Sequence, residues 1–146
     1  MRIQIRHIGL EGMDLQESFP ADIIEIAQDD PLRFVAPFEI AAKVISADDE
    51  VVAMVTAKSS YASFCSRCLE EIEREWAVNF TLTFNAKEHS EFIDVDEDIR
   101  QELILNLPVR TLCQADCKGL CIDCGENLNK QECKHKHAVT DVNNKP

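Results

Sequence analysis

The clearest strand signal in the sequence is the stretch Trp76-Ala77-Val78-Asn79-Phe80-Thr81-Leu82-Thr83-Phe84-Asn85. Large apolar residues occupy every second position, and small or polar residues lie between them. Because successive side chains of a strand point to opposite faces, this alternation predicts a strand with one buried and one solvated face. Trp76 falls on the apolar face, so we predict that it belongs to the core and is not a ligand platform.

Other parts of the chain show the same kind of pattern. Apolar residues take every second position over residues 34–44, and β-branched or small residues dominate residues 51–64. The segment Ala47-Asp48-Asp49-Glu50 between them has the composition of a hairpin turn. Ile3, Ile5 and residues 92–95 add further strands, so we predict about five, joined by short connections and hence antiparallel. Residues 21–28 are predicted to form a short helix.

One longer helix is well marked at residues 96–107. Asp94 is placed to cap it, with Glu97 three residues on, and the acidic residues of the first turn stabilise the positive end of the helix dipole. These carboxylates are therefore interpreted as caps and not as catalytic acids. Pro108 ends the helix. Four apolar residues form its predicted buried face: Ile99, Leu103, Ile104 and Leu107.

Acidic residues are concentrated in the first part of the chain. Residues 1–112 hold 22 Asp and Glu against 10 Lys and Arg, whereas residues 113–146 hold five of each. A negative field repels a phosphate backbone, which disfavours a nucleic-acid binder, and it favours a basic protein partner. The plain alternative is that the net charge of -12 only keeps the protein soluble.

The composition is that of a soluble globular protein. Apolar residues make up 45% and charged residues 29% of the 146, and the first seven residues lack the apolar core of a signal peptide. Nowhere does the chain approach the roughly 18 uninterrupted apolar residues of a membrane-spanning helix. We therefore expect a cytoplasmic protein without membrane association, in which seven cysteines favour metal binding over disulfides.

Five cysteines and two histidines fall within residues 113–137. Zinc binds four such donors in a tetrahedron, and Cys121-Ile122-Asp123-Cys124-Gly125 has the form of a turn that supplies two thiolates. The polar neighbours of these cysteines disfavour inert buried thiols. His137 is expected to face solvent. We predict the following zinc ligands: Cys117, Cys121, Cys124 and Cys133. The alternates are Cys113 and His135.

A second pair lies in Cys65-Ser66-Arg67-Cys68, directly after the strand predicted at residues 51–64, and could form a second metal-binding turn. The competing interpretation is two half-buried thiols in a hairpin turn. A thioredoxin-like role is less favoured, because the pair connects antiparallel strands and not a βαβ unit. In one further arrangement, the two Cys-x-x-Cys pairs share a ribbon-type site and leave four residues for another site: Cys113, Cys117, Cys133 and His135.

The sequence contains no phosphate-binding glycine loop, no Gly-x-Ser-x-Gly and no His-Glu-x-x-His motif. The cysteine cluster can close a zinc shell by itself, which is typical of a structural metal, so we expect a binding factor and not an enzyme. The expected fold is α+β, a mainly antiparallel β-sheet or partial barrel with one packed helix. We predict an acidic β-rich domain at residues 1–112, a zinc-stabilised module at 113–137 and a flexible tail at 138–146.

Three segments of the chain resemble the YceD family, also called large ribosomal RNA subunit accumulation proteins. They are Cys65-Ser66-Arg67-Cys68-Leu69-Glu70, Glu102-Leu103-Ile104-Leu105-Asn106-Leu107-Pro108, and residues 113–129, which end Cys124-Gly125-Glu126-Asn127-Leu128-Asn129. The order and separation of the segments also match the family. Ile122 stands where the family usually has proline, and His135 stands where many relatives have a further cysteine.

The resemblance implies a bacterial or organellar factor needed for normal accumulation of large-subunit ribosomal RNA, and so for ribosome biogenesis. The acidic surface would suit a basic ribosomal protein or a pre-ribosomal particle as partner. One alternative function is a thiol redox or metal-sensing protein that uses Cys65 and Cys68, and another is a nucleic-acid-binding zinc ribbon. Four lysines of the neutral module could approach RNA: Lys118, Lys130, Lys134 and Lys136.

Overall fold

The structure, a computed structural model, describes residues 1–27, 29–88 and 91–135 and is mostly antiparallel sheet with one α-helix. This is the predicted α+β arrangement. Its strands are β1 Arg2–Gln4, β2 Met13–Phe19, β3 Arg33–Phe34, β4 Phe38–Ala47, β5 Glu50–Phe64, β6 Glu71–Asn85 and β7 Phe92–Asp94. The helix α1 spans Asp96–Leu105, and three short 3-10 turns span Ile5–His7, Ala21–Ile23 and Ala86–Glu88.

The chain divides into two compact units. Unit 1 consists of Met1–Ser63 and Glu73–Val109, and unit 2 consists of Phe64–Ile72 and Arg110–Pro146. The division therefore differs from the predicted boundary after residue 112, because the turn that carries Cys65 and Cys68 groups with the later cysteines. The tail predicted at residues 138–146 lies outside the described residues.

The β4–β5 hairpin forms the centre of unit 1. Ala47 pairs with Glu50 across a two-residue turn, as predicted, and Asp48 of that turn has a positive φ of 54°. Aspartate tolerates this left-handed conformation better than most residues do. The five-stranded sheet has the order β2-β4-β5-β3, with β6 also paired to β5, and β1 pairs with β7 in a separate two-stranded sheet.

The strand predicted at residues 34–44 is interrupted. Phe34 pairs with Tyr61 and Glu39 pairs with Lys58, so the first strand advances five residues while β5 advances three. The extra residues form a bulge that contains Pro37, which has no backbone N–H to donate to a sheet. One predicted strand is therefore divided into β3 and β4.

The structure differs from the predictions for the first 30 residues at three points. Strand β2 was not predicted, because only three of its seven residues are large apolar ones and they do not alternate throughout. The helix predicted at residues 21–28 is wrong: a single 3-10 turn, Ala21–Ile23, is followed by extended backbone at Ile24. Ile5 likewise begins a 3-10 turn and does not extend the strand that contains Ile3.

Helix α1 is shorter than predicted and is capped differently. Val95, which has no capping side chain, occupies the N-cap position, and Asp94 accepts a 3.3 Å hydrogen bond from the backbone N–H of Asp96. The helix ends at Leu105, two residues before the predicted end. Ile99 and Leu103 are fully buried as predicted, whereas Ile104 is 40% exposed. No helix in the described residues is long and apolar enough to cross a membrane.

An aromatic cluster forms part of the core of unit 1. The ring of Trp76 meets the rings of Phe34 and Phe38 nearly edge-on, at centroid distances of 5.4 and 5.8 Å. The indole N–H donates a 3.3 Å hydrogen bond to the carbonyl oxygen of Asn106. Trp76 is partly buried and packs against the core, which confirms its predicted role.

Candidate metal centres

All seven cysteines lie in unit 2, and all seven are free thiols. Together with His135 they form two groups of four ligand atoms, and within each group all the atoms lie within 4.8 Å of one another. Centre 1 consists of Cys65, Cys68, Cys113 and Cys117. Centre 2 consists of Cys121, Cys124, Cys133 and His135.

The structure does not bring the preferred zinc quartet together. Cys117 lies 3.7 Å, sulfur to sulfur, from Cys65 in centre 1, and His135 takes its place beside Cys121 in centre 2. The arrangement in which the two Cys-x-x-Cys pairs share one ribbon-type site is not formed either, because each pair belongs to a different centre. His137 lies outside the described residues.

The first Cys-x-x-Cys turn has a defined backbone geometry. The N–H of Leu69 donates to the carbonyl of Cys65 at 2.9 Å, and the N–H of Cys65 donates to the carbonyl of Glu70 at 2.8 Å. Leu69 adopts a positive φ of 58° in order to close the turn. This turn brings the thiols of Cys65 and Cys68 together in centre 1.

The second Cys-x-x-Cys turn repeats this geometry residue for residue. The N–H of Gly125 donates to the carbonyl of Cys121, and the N–H of Cys121 donates to the carbonyl of Glu126, both at 2.8 Å. Gly125 has a φ of 74°, which glycine adopts without strain. The glycine is therefore a local sequence signal for this turn. The equivalent position of the first turn holds Leu69, so that signal was missing there.

This comparison predicts a stabilising substitution. Leu69→Gly should raise the free energy of unfolding of unit 2 by about 0.5–1 kcal/mol, because it relieves the left-handed strain of a 63% exposed leucine and removes little buried surface. Denaturant unfolding of the metal-loaded protein, followed through thiol reactivity, measures the change. Gly125→Ala is the matched control and should destabilise the unit. A loss of stability in Leu69→Gly would contradict the strain argument.

The sulfur positions of centre 1 fit a tetrahedral metal ion. The sulfur atoms of Cys65 and Cys117 lie 3.7 Å apart, and those of Cys68 and Cys113 lie 3.6 Å apart. Four thiolates at about 2.3 Å from one zinc ion in tetrahedral directions would be separated by about 3.8 Å. Cys65, Cys68 and Cys117 are buried and Cys113 is half-buried, so the four thiols of centre 1 are largely closed to solvent.

Centre 2 has a similar geometry but is more open. The sulfur of Cys121 lies 3.8 Å from Nδ1 of His135 and also accepts a 3.5 Å hydrogen bond from the N–H of Cys124. Cys121 is buried, whereas Cys124 and His135 are exposed and line a cleft of about 430 Å³. A metal ion held by these three thiolates and one imidazole would therefore be accessible to small solutes.

Each centre contains one thiol that ionises readily. Burial alone would raise the pKa of Cys65, but hydrogen bonds from the backbone at Cys68, Cys113 and Arg67 lower it to about 6. Burial and the neighbouring thiol of Cys117 raise the pKa of Cys113 to about 12. In centre 2, burial alone would raise the pKa of Cys121, but hydrogen bonds from the backbone and thiol of Cys124, the backbone of Asp123 and the thiol of Cys133 together lower it to about 6. A metal ion must displace protons from the other thiols, so its affinity decreases as the pH falls.

The buried core of unit 2 consists largely of these cysteines. Cys65, Cys68 and Cys117 form the buried cluster, and the leucines that pack against it, Leu112 and Leu120, are only partly buried. Such a small apolar core buries little surface, and units of this kind are usually held together by metal ions or disulfides. The spacing of the ligand atoms, the types of donor and the small apolar core are all consistent with two metal ions that stabilise unit 2.

The lysines proposed for RNA contact are not equivalent in the structure. Lys130 forms an ion pair with Glu70, and this pairing lowers the pKa of the Glu70 carboxyl. Lys118 and Lys134 are exposed, and Lys136 lies outside the described residues. The ion pair connects the first Cys-x-x-Cys turn to the segment before Cys133, so the structure gives Lys130 a role within unit 2.

These features define a protein with a β-rich unit and a cysteine-rich unit that could hold two metal ions. Residues 87–144 match the family described as "Large ribosomal RNA subunit accumulation protein YceD". Two relatives are chloroplast proteins named large ribosomal RNA subunit accumulation protein YCED homolog 1. The one from Arabidopsis thaliana is 42% identical over 41 residues, and the one from Zea mays is 43% identical over 37 residues. These matches support the assignment of the chain to the YceD family.

The matches with individual relatives are partial. They cover 28% and 25% of this chain and 13% of each chloroplast protein. An uncharacterized protein from Mycobacterium leprae, ML1660, is 26% identical over 112 residues, which covers 66% of this chain and 52% of that protein. No solved structure matches the chain significantly.

Proposed function

We propose that this protein is a non-enzymatic ribosome-biogenesis factor that supports the accumulation of large-subunit ribosomal RNA. The match of residues 87–144 to the YceD family carries the proposal, because it includes helix α1 and six of the eight candidate metal ligands. The names of the two plant relatives point to the same role. A cytoplasmic location belongs to this proposal, although those relatives are named as chloroplast proteins.

Zinc is the metal that we propose for both centres. Four thiolates, or three thiolates and an imidazole, are the donor sets of structural zinc sites. Zinc binds such donors in a tetrahedron, because its filled d shell imposes no other geometry. Carboxylates, which magnesium and calcium prefer, contribute no ligand to either group. In this role the metal stabilises the fold of unit 2 and supplies no reaction chemistry.

A basic ribosomal protein, or a protein-rich face of a pre-ribosomal particle, is the partner that we propose. All the acidic residues between residues 11 and 50 are exposed in unit 1, so their charge is available at the surface. Attraction between opposite charges accelerates association and helps to select the partner. Added salt screens the charges and weakens this attraction. Direct contact with RNA would fall to Lys118 and Lys134, which are exposed, because Lys130, although also exposed, is paired with Glu70.

A thiol redox role for the Cys65 and Cys68 pair is less well supported. A reactive cysteine needs access to its partner, but Cys65 is 0% exposed and Cys68 is 4% exposed. Both thiols also lie within van der Waals distance of a second cysteine sulfur, as expected for metal ligands. The lowered pKa of Cys65 is a property that a metal ligand and a redox thiol share.

Deletion of the gene in the source organism tests the proposed function. The ratio of large-subunit to small-subunit ribosomal RNA should fall, and a plasmid copy of the wild-type protein should restore it. A copy in which several exposed acidic residues of unit 1 are changed to their amides should restore it less well, with the fold unchanged by circular dichroism. An unaltered ratio in the deletion strain under all growth conditions would refute the proposal.

A further inference from the structure

Asn129 belongs to the chain segment of centre 2 but bonds to centre 1. It lies between Cys124 and Cys133, which are both candidate ligands of centre 2. Its side-chain Nδ2 nevertheless lies 3.3 Å from the sulfur of Cys117 in centre 1, at hydrogen-bond distance. Its Oδ1 accepts a 2.8 Å hydrogen bond from the backbone N–H of Lys118. The Asn129 side chain thus contacts both Cys117, the last ligand of centre 1, and the next residue, Lys118.

The orientation of the Asn129 amide is fixed by its surroundings. Oδ1 of Asn127 accepts hydrogen bonds from both the backbone N–H and Nδ2 of Asn129, each at 2.9 Å. Because the N–H of Lys118 requires an acceptor and Oδ1 of Asn127 requires a donor, only one assignment of oxygen and nitrogen satisfies both. The amide N–H group therefore faces the sulfur of Cys117.

The backbone between Cys117 of centre 1 and Cys121 of centre 2 forms hydrogen bonds with segments of both centres. Gly119 accepts a 3.0 Å hydrogen bond from the N–H of Leu128, and the N–H of Leu120 donates to the carbonyl of Arg67 at 3.2 Å. Gly119 has a φ of 78°, and a Cβ there would lie 3.2 Å from the oxygen of Arg67. This segment therefore contacts the turn of centre 1 and the loop of centre 2 at once.

We propose that Asn129 couples the two centres, so that a metal ion bound at one raises the affinity of the other. The inference rests on the proposed binding of two metal ions. Metal at centre 2 orders the loop between Cys124 and Cys133 and presents the Asn129 N–H to the sulfur of Cys117, where it stabilises the thiolate. By linkage, metal at centre 1 strengthens centre 2 by the same factor. Asn129 is a positioning residue in this scheme.

Titration of the metal-free full chain with cobalt(II) tests the coupling. A four-sulfur and a three-sulfur, one-nitrogen site give different visible spectra, so the filling of each centre can be followed separately. Replacement of Cys133 and His135 by alanine, which disables centre 2, should lower the cobalt affinity of centre 1 roughly tenfold or more. Asn129→Ala should cause a similar loss with centre 2 intact, and the combined variant should show little further loss.

Asn129→Asp separates coupling from a purely structural role. It keeps an oxygen for the N–H of Lys118 but replaces the N–H donor with a carboxylate that faces the thiolate of Cys117. We expect a larger loss of affinity than in Asn129→Ala, and a shift of the sulfur-to-cobalt charge-transfer band of centre 1. Asn85→Ala, which changes an exposed asparagine of unit 1, is the control and should leave both titrations unchanged. Near-normal titration and spectra for Asn129→Asp would overturn the inference.

The outcomes distinguish the inference from the proposal on which it rests. If the wild-type protein binds no cobalt or zinc, the metal proposal itself fails. If both centres fill but centre 1 is unaffected by the loss of centre 2, only the coupling is wrong. Should the Asn129 variants fail to fold, magnetic resonance of the cadmium-loaded wild-type protein gives a direct test. Scalar coupling between cadmium in centre 1 and the Asn129 side-chain proton is expected, and its absence would contradict the proposed hydrogen bond.

Discussion

Protein isolated without added metal is expected to contain about two zinc ions per chain, one in each centre. Removal of both ions by a strong chelator should unfold unit 2, because its buried cluster is made of ligand thiols and has few apolar side chains to replace the lost bonds. Structural zinc contributes on the order of 10–16 kcal/mol to the folding of small peptides, so this is the largest effect that we expect.

The chain contains separate reporters for its two units. All seven cysteines lie in unit 2, and the single tryptophan, Trp76, lies in unit 1. After chelation, all seven thiols should react rapidly with a thiol reagent, while the fluorescence of Trp76 should remain that of a folded core. Before chelation, few thiols should react. Addition of zinc should restore protection, and addition of magnesium, which prefers oxygen ligands, is the control and should not.

Two other outcomes would change the interpretation. About one zinc ion per chain, with the thiols of one centre still reactive, would leave a single structural site and release the other group for a different role. No metal, together with ready disulfide formation, would refute the zinc proposal and favour the redox alternative. Cys117→Ser helps to separate the centres: it should abolish binding at centre 1, whereas the preferred quartet from the sequence predicts that it disrupts the Cys121 and Cys124 site.

Phe38→Ala is expected to give the largest loss of stability among single substitutions in unit 1. Phe38 is 0% exposed and packs against Phe34 and Trp76 in the aromatic cluster. Removal of a fully buried phenylalanine costs about 3–5 kcal/mol, because both the buried surface and the filled volume are lost. This is a large part of the roughly 5–15 kcal/mol by which a typical domain is stable. Denaturant unfolding followed by Trp76 fluorescence measures the change.

Phe92→Ala is the matched control for this substitution. Phe92 is 46% exposed, and its ring contacts the guanidinium of Arg2 at 4.9 Å from the ring centroid. Loss of an exposed cation-π contact costs about 0.5–1 kcal/mol, so the control should be several times milder. Equal losses for the two variants would show that burial does not control stability at residue 38, and the described packing of the core would then be wrong.

Local signals in the sequence predicted several elements correctly. The alternation from Trp76 to Asn85 reflects the two faces of β6, and the turn at Asp48 forms the predicted hairpin. Other elements depended on contacts that local patterns do not show. Strand β2 has weak alternation and is held by pairing with β4. The cap predicted for α1 failed because Val95 occupies the N-cap position, and Asp94 lies one residue before it.

The sequence by itself determined which residues could bind metal, because the thiols, the imidazole and the two Cys-x-x-Cys turns are local features. Only the tertiary structure decided how these ligands are shared. Cys65 and Cys117 are 52 residues apart and meet at 3.7 Å, a distance that no local spacing specifies. Cys117 and Cys121 are close in sequence, yet Gly119 has a left-handed backbone between them and they belong to different centres. Ligand grouping is therefore a long-range property, which follows from how the chain segments pack.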